Sequence, residues 1–405
     1  MTYDKILELE KKFGNSFYLY KESVFRQNIS SFLNSFQTIY SNTSIGYSYK
    51  TNYLPRACKI AYELGAYAEI VSPMELQIAK KLNIPGNKVL YNGPIKDKSS
   101  IYYCLKNGAK INIDNSRDFE IISKYACQNK DQQIKVGVRL NFNLGDGEFS
   151  RFGYDVNGSE VNYLINQISQ FNNIRLAGLH FHSTRTNKST ASYRNRLERL
   201  YRFYQEHNLQ NIEYLDVGGG FYGPMDENIE SQFDDYVPNY QEYAEAIAGQ
   251  MVEFFPKENV ELILEPGLAL TVNILDFYTK VIAVKKIRDQ KIVNTSGSFY
   301  NVKPSGHKKN LTMEVFSTVK HEDTDKDVLI AGYTCLENDY LYEGYSGKAI
   351  KKNDYLCFRN IGAYTIVFKP PFIKLASPII MKNGSSFKIV RDKEKFQDIF
   401  KAYEF

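Results

Sequence analysis

Lys50 closes the stretch Tyr47-Ser48-Tyr49-Lys50-Thr51-Asn52. Residues 44–49 read as a buried strand, bounded by the Ser41-Asn42-Thr43 turn cluster and Pro55. The lysine amine therefore sits at the mouth of a sheet, with its stem among apolar neighbours. Desolvation disfavours the ammonium and lowers a lysine pKa. Such an amine can form an imine with an aldehyde cofactor or a carbonyl substrate. Taken alone, a strand-end lysine that snorkels to water is the plainer reading, so the rest of the chain has to decide.

Five other stretches stand out. His180 and His182 lie two apart at the end of a strand over 174–180 and face the same way. They suit metal ligation, ring stacking or a satisfied core position, and no Cys, Asp or Glu stands at a helpful spacing in sequence. Asp216-Val217-Gly218-Gly219-Gly220 follows a strand over 213–217. Three glycines free the backbone N–H groups to wrap an anion, or simply make a tight turn. Glu265-Pro266-Gly267 follows a strand over 260–264, which places a carboxylate where it could hold a protonated ring nitrogen. Cys335 and Asp339 follow another strand, although a lone Cys is usually a small buried hydrophobe. Gly362-Ala363-Tyr364 reads as the opening of a strand.

The elements that position these residues alternate. Strands are expected at 44–49, 67–71, 88–91, 110–113, 135–140, 174–180, 213–217 and 260–264, with helical periodicity between them. Ser72-Pro73-Met74-Glu75 is a helix start, with a Ser cap, Pro at the first position and Glu at the third. The alternation predicts an α/β fold, a (β/α)8 TIM-like barrel over residues 22–270, which matches the typical barrel length of about 250 residues. A doubly wound open sheet is the alternative, without a Gly-x-Gly-x-x-Gly after the first strand to support it. In a barrel the chemistry belongs at the C-terminal strand ends. Residues 271–405, joined by about 1–21, are read as a β-rich C-terminal domain, with short β-branched or aromatic runs that include Ala363–Lys369.

Composition narrows the class. The chain has 405 residues, 43% of them hydrophobic, and no apolar run long enough to span a bilayer. Five cysteines without metal spacing fit a reducing cytoplasm and oppose a disulfide framework. The net charge of +5 is spread along the chain and does not suggest nucleic-acid binding. Thirty-two tyrosines and no tryptophan are unusual, with no functional account at this level.

Taken jointly the motifs are specific. A pyridoxal phosphate site needs a lysine for the imine, donors for the phosphate, an acid opposite the pyridine nitrogen and a flat group on the ring face. Lys50, Gly218–Gly220, Glu265 and His182 supply these in turn, each at the end of a different strand. With these motifs the chain resembles the fold-type III pyridoxal-phosphate decarboxylases, the family of diaminopimelate, ornithine and arginine decarboxylases, over nearly its whole length. The resemblance implies that Lys50 bears the cofactor, His182 stacks on its ring and Glu265 meets the ring nitrogen. It implies that Gly219, Gly220, Gly267 and Tyr364 hold the phosphate, with Arg139 behind the cofactor. Cys335 would reprotonate the substrate carbanion, and Asp339 would meet the far end of the substrate. Both would come from a partner subunit in a head-to-tail homodimer.

Departures bear on the substrate, which is expected to be a small amino-acid-type molecule. Leu268 stands where the family usually has Arg after Glu-Pro-Gly. Leu336 follows Cys335 where the diaminopimelate enzymes have Glu, and Glu337 is one place late. The Arg-Pro-x-x-Tyr substrate motif is replaced by Asn301-Val302-Lys303-Pro304-Ser305-Gly306-His307, and the Gly-Ser after the stacking His by Thr184-Arg185. The pattern is closer to the siderophore and secondary-metabolite branch, with larger or conjugated substrates. Arg151, Arg185, Lys303 and His307 are candidates for contacting extra carboxylates. An amino-acid racemase of the same fold type, or a non-catalytic regulatory homologue, are the competing readings. The Cys335-x-x-x-Asp339 segment favours decarboxylation over the first, and the presence of both Lys50 and Cys335 argues against the second.

Overall fold

The computed structural model describes residues 1–143, 149–183, 188–318 and 323–405. The chain forms two units: Arg26–Gly223 with Tyr236–Leu270, and Met1–Phe25 with Pro224–Asp235 and Thr271–Phe405. Strand β1 (Ser16–Tyr20) belongs to the second. The first unit contains β2 (Thr43–Ser48), β3 (Tyr67–Ile70), β4 (Val89–Tyr91), β5 (Lys110–Ile113), β6 (Ile134–Asn141), β8 (Ile174–His180), β9 (Tyr214–Asp216) and β10 (Glu261–Leu264), with a two-residue β7 (Tyr154–Asp155) beside β6. Every neighbouring pair is parallel. The β5–β6 and β2–β10 pairings close the sheet into an eight-stranded barrel, so the open-sheet alternative is set aside.

The helix after β3 starts as the sequence predicts. Ser72 Oγ accepts the Glu75 N–H at 3.2 Å, and Pro73 occupies the first turn, where a missing N–H costs nothing. Strand interiors are buried nearly throughout, as in β4 and β9, because helices cover the sheet's outer face. Inside the barrel, Leu90, Tyr214 and Ile263 pack together. Its N-terminal end carries a polar cluster: Tyr67 donates to Glu261 at 3.0 Å, and Lys110 lies 3.2 Å from the same carboxylate and over the Tyr214 ring.

In the second unit, β11 (Leu275–Ile287), β12 (Gln290–Thr295), β14 (Thr324–Ala331), β15 (Tyr340–Lys348), β17 (Ile379–Asn383) and β18 (Ser386–Arg391) form a curled sheet with β1, in the order β15-β14-β12-β11-β1-β17-β18. β16 (Tyr355–Phe358) also pairs with β11 and carries β13 (Met313–Phe316). The N-terminal strand is interior to this sheet, antiparallel to β11 and parallel to β17. Ile6, Leu9, Phe17, Tyr278, Tyr355, Cys357 and Ile380 form a core there, with Phe17 and Tyr278 stacked at 5.1 Å.

Two features differ from the sequence reading. Ala363–Lys369 is not a strand: Tyr364 is left-handed at φ 59°, and Thr365–Phe368 is a single helical turn before Pro370. Strands β15 and β17 are additional. Gly344 and Gly347 interrupt the pattern of the first, and the second buries only Ile379, Ile380 and Met381. The tyrosines gain a structural role: Tyr18, Tyr20, Tyr40, Tyr47, Tyr49, Tyr91, Tyr193, Tyr243 and Tyr355 are among the largest fully buried side chains, filling the volume that tryptophan would otherwise occupy. No described helix is long and apolar enough to cross a membrane.

Candidate active site

Lys50 lies two residues beyond β2, in a turn. Its amine donates to Glu69 Oε2 at 2.5 Å. Glu69 is fully buried in β3. Burial pushes its carboxyl up to about 7, with Lys50 pulling it down and Glu265 pushing it further up. The acid thus exchanges its proton near neutrality, beside the Lys50 amine. Sequence reasoning missed Glu69, although an acid inside the run read as a strand over 67–71 was the available signal.

Glu69 yields a pH prediction. A carboxyl raised from 4.5 to about 7 favours folding while protonated, and that contribution is lost as pH rises through this window. Glu69→Gln apoprotein should therefore gain on wild type between pH 4.5 and 7, by up to ~3 kcal/mol. Parallel thermal-unfolding curves across that range would contradict the assignment.

Glu265 follows β10 and is buried. Its Oε1 accepts from the Asn92 side-chain amide and lies 3.3 Å from His180 Nε2. Burial alone would raise this carboxyl, but the His180 ring facing it and then the Lys50 amine outweigh it and hold it well below the usual carboxylate range. Asp216, at the end of β9, goes the other way: burial, then the Glu265 charge, push it well above its ordinary value. Of these two like charges in one buried cluster, Asp216 keeps the proton and Glu265 stays anionic. Ligand-type atoms of His180, Asp216 and Glu265 all fall within 4.8 Å of one another. The acids absent near His180 in sequence are thus supplied by neighbouring strands.

His182 is held by a specific bond. Its Nδ1 accepts the Gly219 N–H at 2.9 Å, so the ring proton sits on Nε2. Burial first, then Lys50 and Arg139, keep the imidazole neutral, with Glu265 opposing. Arg139 is buried, pairs with Asp114 at 3.2 Å and donates to the His182 carbonyl at 3.1 Å. The glycine run is narrower as an anion nest than expected. The Gly218 N–H goes to Asp216 Oδ1 and the Gly219 N–H to His182; among the described residues only the Gly220 amide of the three carries no hydrogen bond. Gly219 chiefly permits close approach, since a Cβ there would lie 2.2 Å from the Glu265 carbonyl oxygen. A Cβ on Gly267 would similarly meet Thr51 Oγ1 at 2.2 Å.

Arg151 is exposed, with its guanidinium 4.3 Å from the Phe152 ring centroid. Arg185 lies outside the described residues. Cys335, Asp339, Tyr364, Lys303 and His307 belong to the second unit. Cys335 and His307 are exposed there, whereas Lys303 is buried. Asp339, expected at the far end of the substrate, is buried, and its two oxygens accept the Phe299 and Thr334 N–H groups at 2.8 and 2.9 Å. Both bonds tie down the loop that carries Cys335.

The family profile described as pyridoxal-dependent decarboxylase, pyridoxal-binding domain, matches residues 26–272. The chain belongs to the pyridoxal-dependent decarboxylase family. It is 24% identical over 409 residues to the diaminopimelate decarboxylase of Aquifex aeolicus, covering 97% of this chain and 92% of that protein. It is 23% identical over 431 residues to the L-glutamyl-[BtrI acyl-carrier protein] decarboxylase of Niallia circulans, covering 98% and 95%. The crystal structure of diaminopimelate decarboxylase from Methanocaldococcus jannaschii superposes with a TM-score of 0.87 at 22% identity, covering 98% of this chain and 94% of that one.

The residues fit the pyridoxal phosphate of this decarboxylase family. An amine, a buried carboxylate kept anionic and a neutral imidazole lie within electrostatic reach of one another. Thr51 Oγ1, His180 Nδ1 and Asp216 Oδ2 are buried polar atoms with no hydrogen-bond partner among the described residues, as expected of a cavity built for a polar group.

Proposed function

We propose that this decarboxylase removes the Cα carboxylate of an amino acid or amino-acid conjugate other than diaminopimelate, releasing CO2 and an amine. The observation that carries the reading is the buried, anionic Glu265 in the same charge cluster as the Lys50 amine. Pyridoxal phosphate, when bound, supplies the electron sink for the bond that breaks. Lys50 provides the amine that anchors it. Glu265 retains a proton at the ring nitrogen, His182 covers the ring, Arg139 fixes the His182 backbone, and Gly220, Gly267 and Tyr364 serve the phosphate. Cys335 returns the proton to Cα. Asp339 is reassigned to holding the Cys335 loop, because both its oxygens are committed to backbone amides.

The substrate reading rests on Leu336 and Leu268, which replace a charged residue at the family's substrate and phosphate contacts, and on the relative from Niallia circulans, whose name specifies a carrier-bound glutamyl group. Such a substrate presents a blocked distal end, which an apolar Leu336 tolerates better than a carboxylate. A place in siderophore or secondary-metabolite assembly follows. Screening free, acylated and carrier-linked amino acids for CO2 release tests this; release from diaminopimelate alone would overturn it. Inversion of configuration without CO2 would point to a racemase instead.

Cys335 is proposed to act on the partner subunit's site within a homodimer. Lys50→Ala and Cys335→Ala chains should each be nearly inactive. Mixed after subunit exchange, they should regain about a quarter of wild-type turnover, because half the dimers would hold one intact site. No recovery in demonstrably mixed dimers would remove the shared-site assignment.

A further inference from the structure

A line of side chains crosses the barrel interior and ends on Glu265. Tyr214, the first residue of β9, donates its hydroxyl to Asn112 Oδ1 at 2.7 Å. Asn112, within β5, donates its amide to Asn92 Oδ1 at 2.7 Å. Asn92, just beyond β4, donates to Glu265 Oε1. All three are buried. Each link donates in the same direction, toward Glu265. Neither asparagine can turn its amide over without breaking bonds on both sides, and each break would leave a buried polar atom unmade.

The barrel is shaped around this line. A Cβ on Gly137 of β6 would lie 1.8 Å from Asn112 Oδ1 and 2.2 Å from the Tyr214 hydroxyl. A Cβ on Gly178 of β8 would lie 1.9 Å from Tyr214 Cζ. Two neighbouring strands thus give up an inward side chain at the places where the tyrosine and the asparagine meet. At the far end, the Tyr214 ring is flanked by Lys110, itself paired with Glu261. The Asn92 and His180 contacts both fall on Oε1 of Glu265.

We propose that Tyr214, Asn112 and Asn92 form a one-directional hydrogen-bond line that positions Glu265, fixing Oε1 so that Oε2 is presented to the cofactor ring. Asn92 is the positioning residue in contact with Glu265, and Asn112 and Tyr214 act through it. The inference rests on the pyridoxal phosphate reading of this site. An anionic Glu265 is its natural terminus, because a carboxylate accepts from every donor turned toward it.

The decisive variant is Asn112→Leu, which stays close to the shape of the side chain and does not touch Glu265. It removes the donor to Asn92 Oδ1, so nothing holds the Asn92 amide with its NH2 on Glu265. Apoprotein should then bind pyridoxal phosphate about 10-fold more weakly, the scale of one hydrogen bond lost, and the visible absorption of the bound cofactor should shift. Asn92→Leu should bind at least as weakly, and the double variant should be no worse than Asn92→Leu alone. Should Asn112→Leu fail to fold, Tyr214→Phe decides by removing one hydroxyl; a loss of roughly 2- to 5-fold in affinity is expected.

Folded Asn112→Leu, or folded Tyr214→Phe in its place, with wild-type affinity and spectrum would overturn the proposal. A role confined to packing predicts that result, together with a lowered apoprotein melting temperature. Wild-type protein that binds no cofactor would instead overturn the reading of the site itself, so the two failures are distinct.

Discussion

Lys50→Ala protein should lose turnover by at least about 10^3-fold, and borohydride should no longer trap cofactor on the chain. Peptide mapping of reduced wild type should find the adduct on Lys50, and an adduct on any other lysine would reassign the site. The variant has a second consequence. Lys50 is the cation bonded to Glu69, and Glu69 is fully buried. Without the amine, Glu69 can remain in the fold only as the neutral acid, because a lone buried carboxylate costs several kcal/mol. Lys50→Ala apoprotein should therefore lose more stability than wild type when pH is raised from 6 to 9. Lys50→Ala/Glu69→Gln should recover that stability without recovering turnover. This separates the amine's covalent role from its electrostatic one.

Glu265→Gln should lower turnover by roughly 10^2- to 10^3-fold, the range found when one preorganised electrostatic partner is removed. The amide preserves the volume between Asn92 and His180. It cannot keep a ring nitrogen protonated, and its NH2 would meet a donor on one side. Asp216 should respond in the opposite sense to Glu265. Its carboxyl is raised by burial and then by the Glu265 charge, so removal of that charge should let it ionise at lower pH. A pH titration of the variant followed by a carboxyl infrared band tests this. An Asp216 titration unchanged from wild type, with full turnover, would show that the two acids do not share a proton as described.

The barrel was legible in the sequence because each of its strands is a short apolar run ending in turn residues, and period and punctuation agree from Thr43 to Leu264. Lys50, His182 and Glu265 were legible for the same reason: a barrel puts chemistry at strand ends, so the residue after each apolar run is the one to read. Glu69 and Asn92 were not singled out, since their meaning comes from neighbours on other strands. Glu69 pairs with a residue from the preceding strand's end, and Asn92 points at a carboxylate from β10. The double duty of the glycines was also hidden. A run of three suggests an anion nest, but Asp216 and His182 take two of the amides, and only side-chain geometry reveals that. In the second unit, Tyr364 was misread as a strand residue because its left-handed backbone has no sequence mark other than the nearby Gly362.

Strand β1 has a consequence for how the protein is made. It is an interior strand, with Tyr18 paired to Phe277 on one side and to Ile379 on the other. It leaves the ribosome before either partner, and both partners follow only after the barrel. Throughout synthesis of the barrel, Phe17, Tyr18 and Tyr20, all buried in the finished protein, have no sheet to join. A nascent chain stalled before residue 275 therefore carries an unpaired, apolar segment with two open edges, the form most prone to pairing with another chain. Chaperone demand should peak in that interval of translation and fall once β11 emerges.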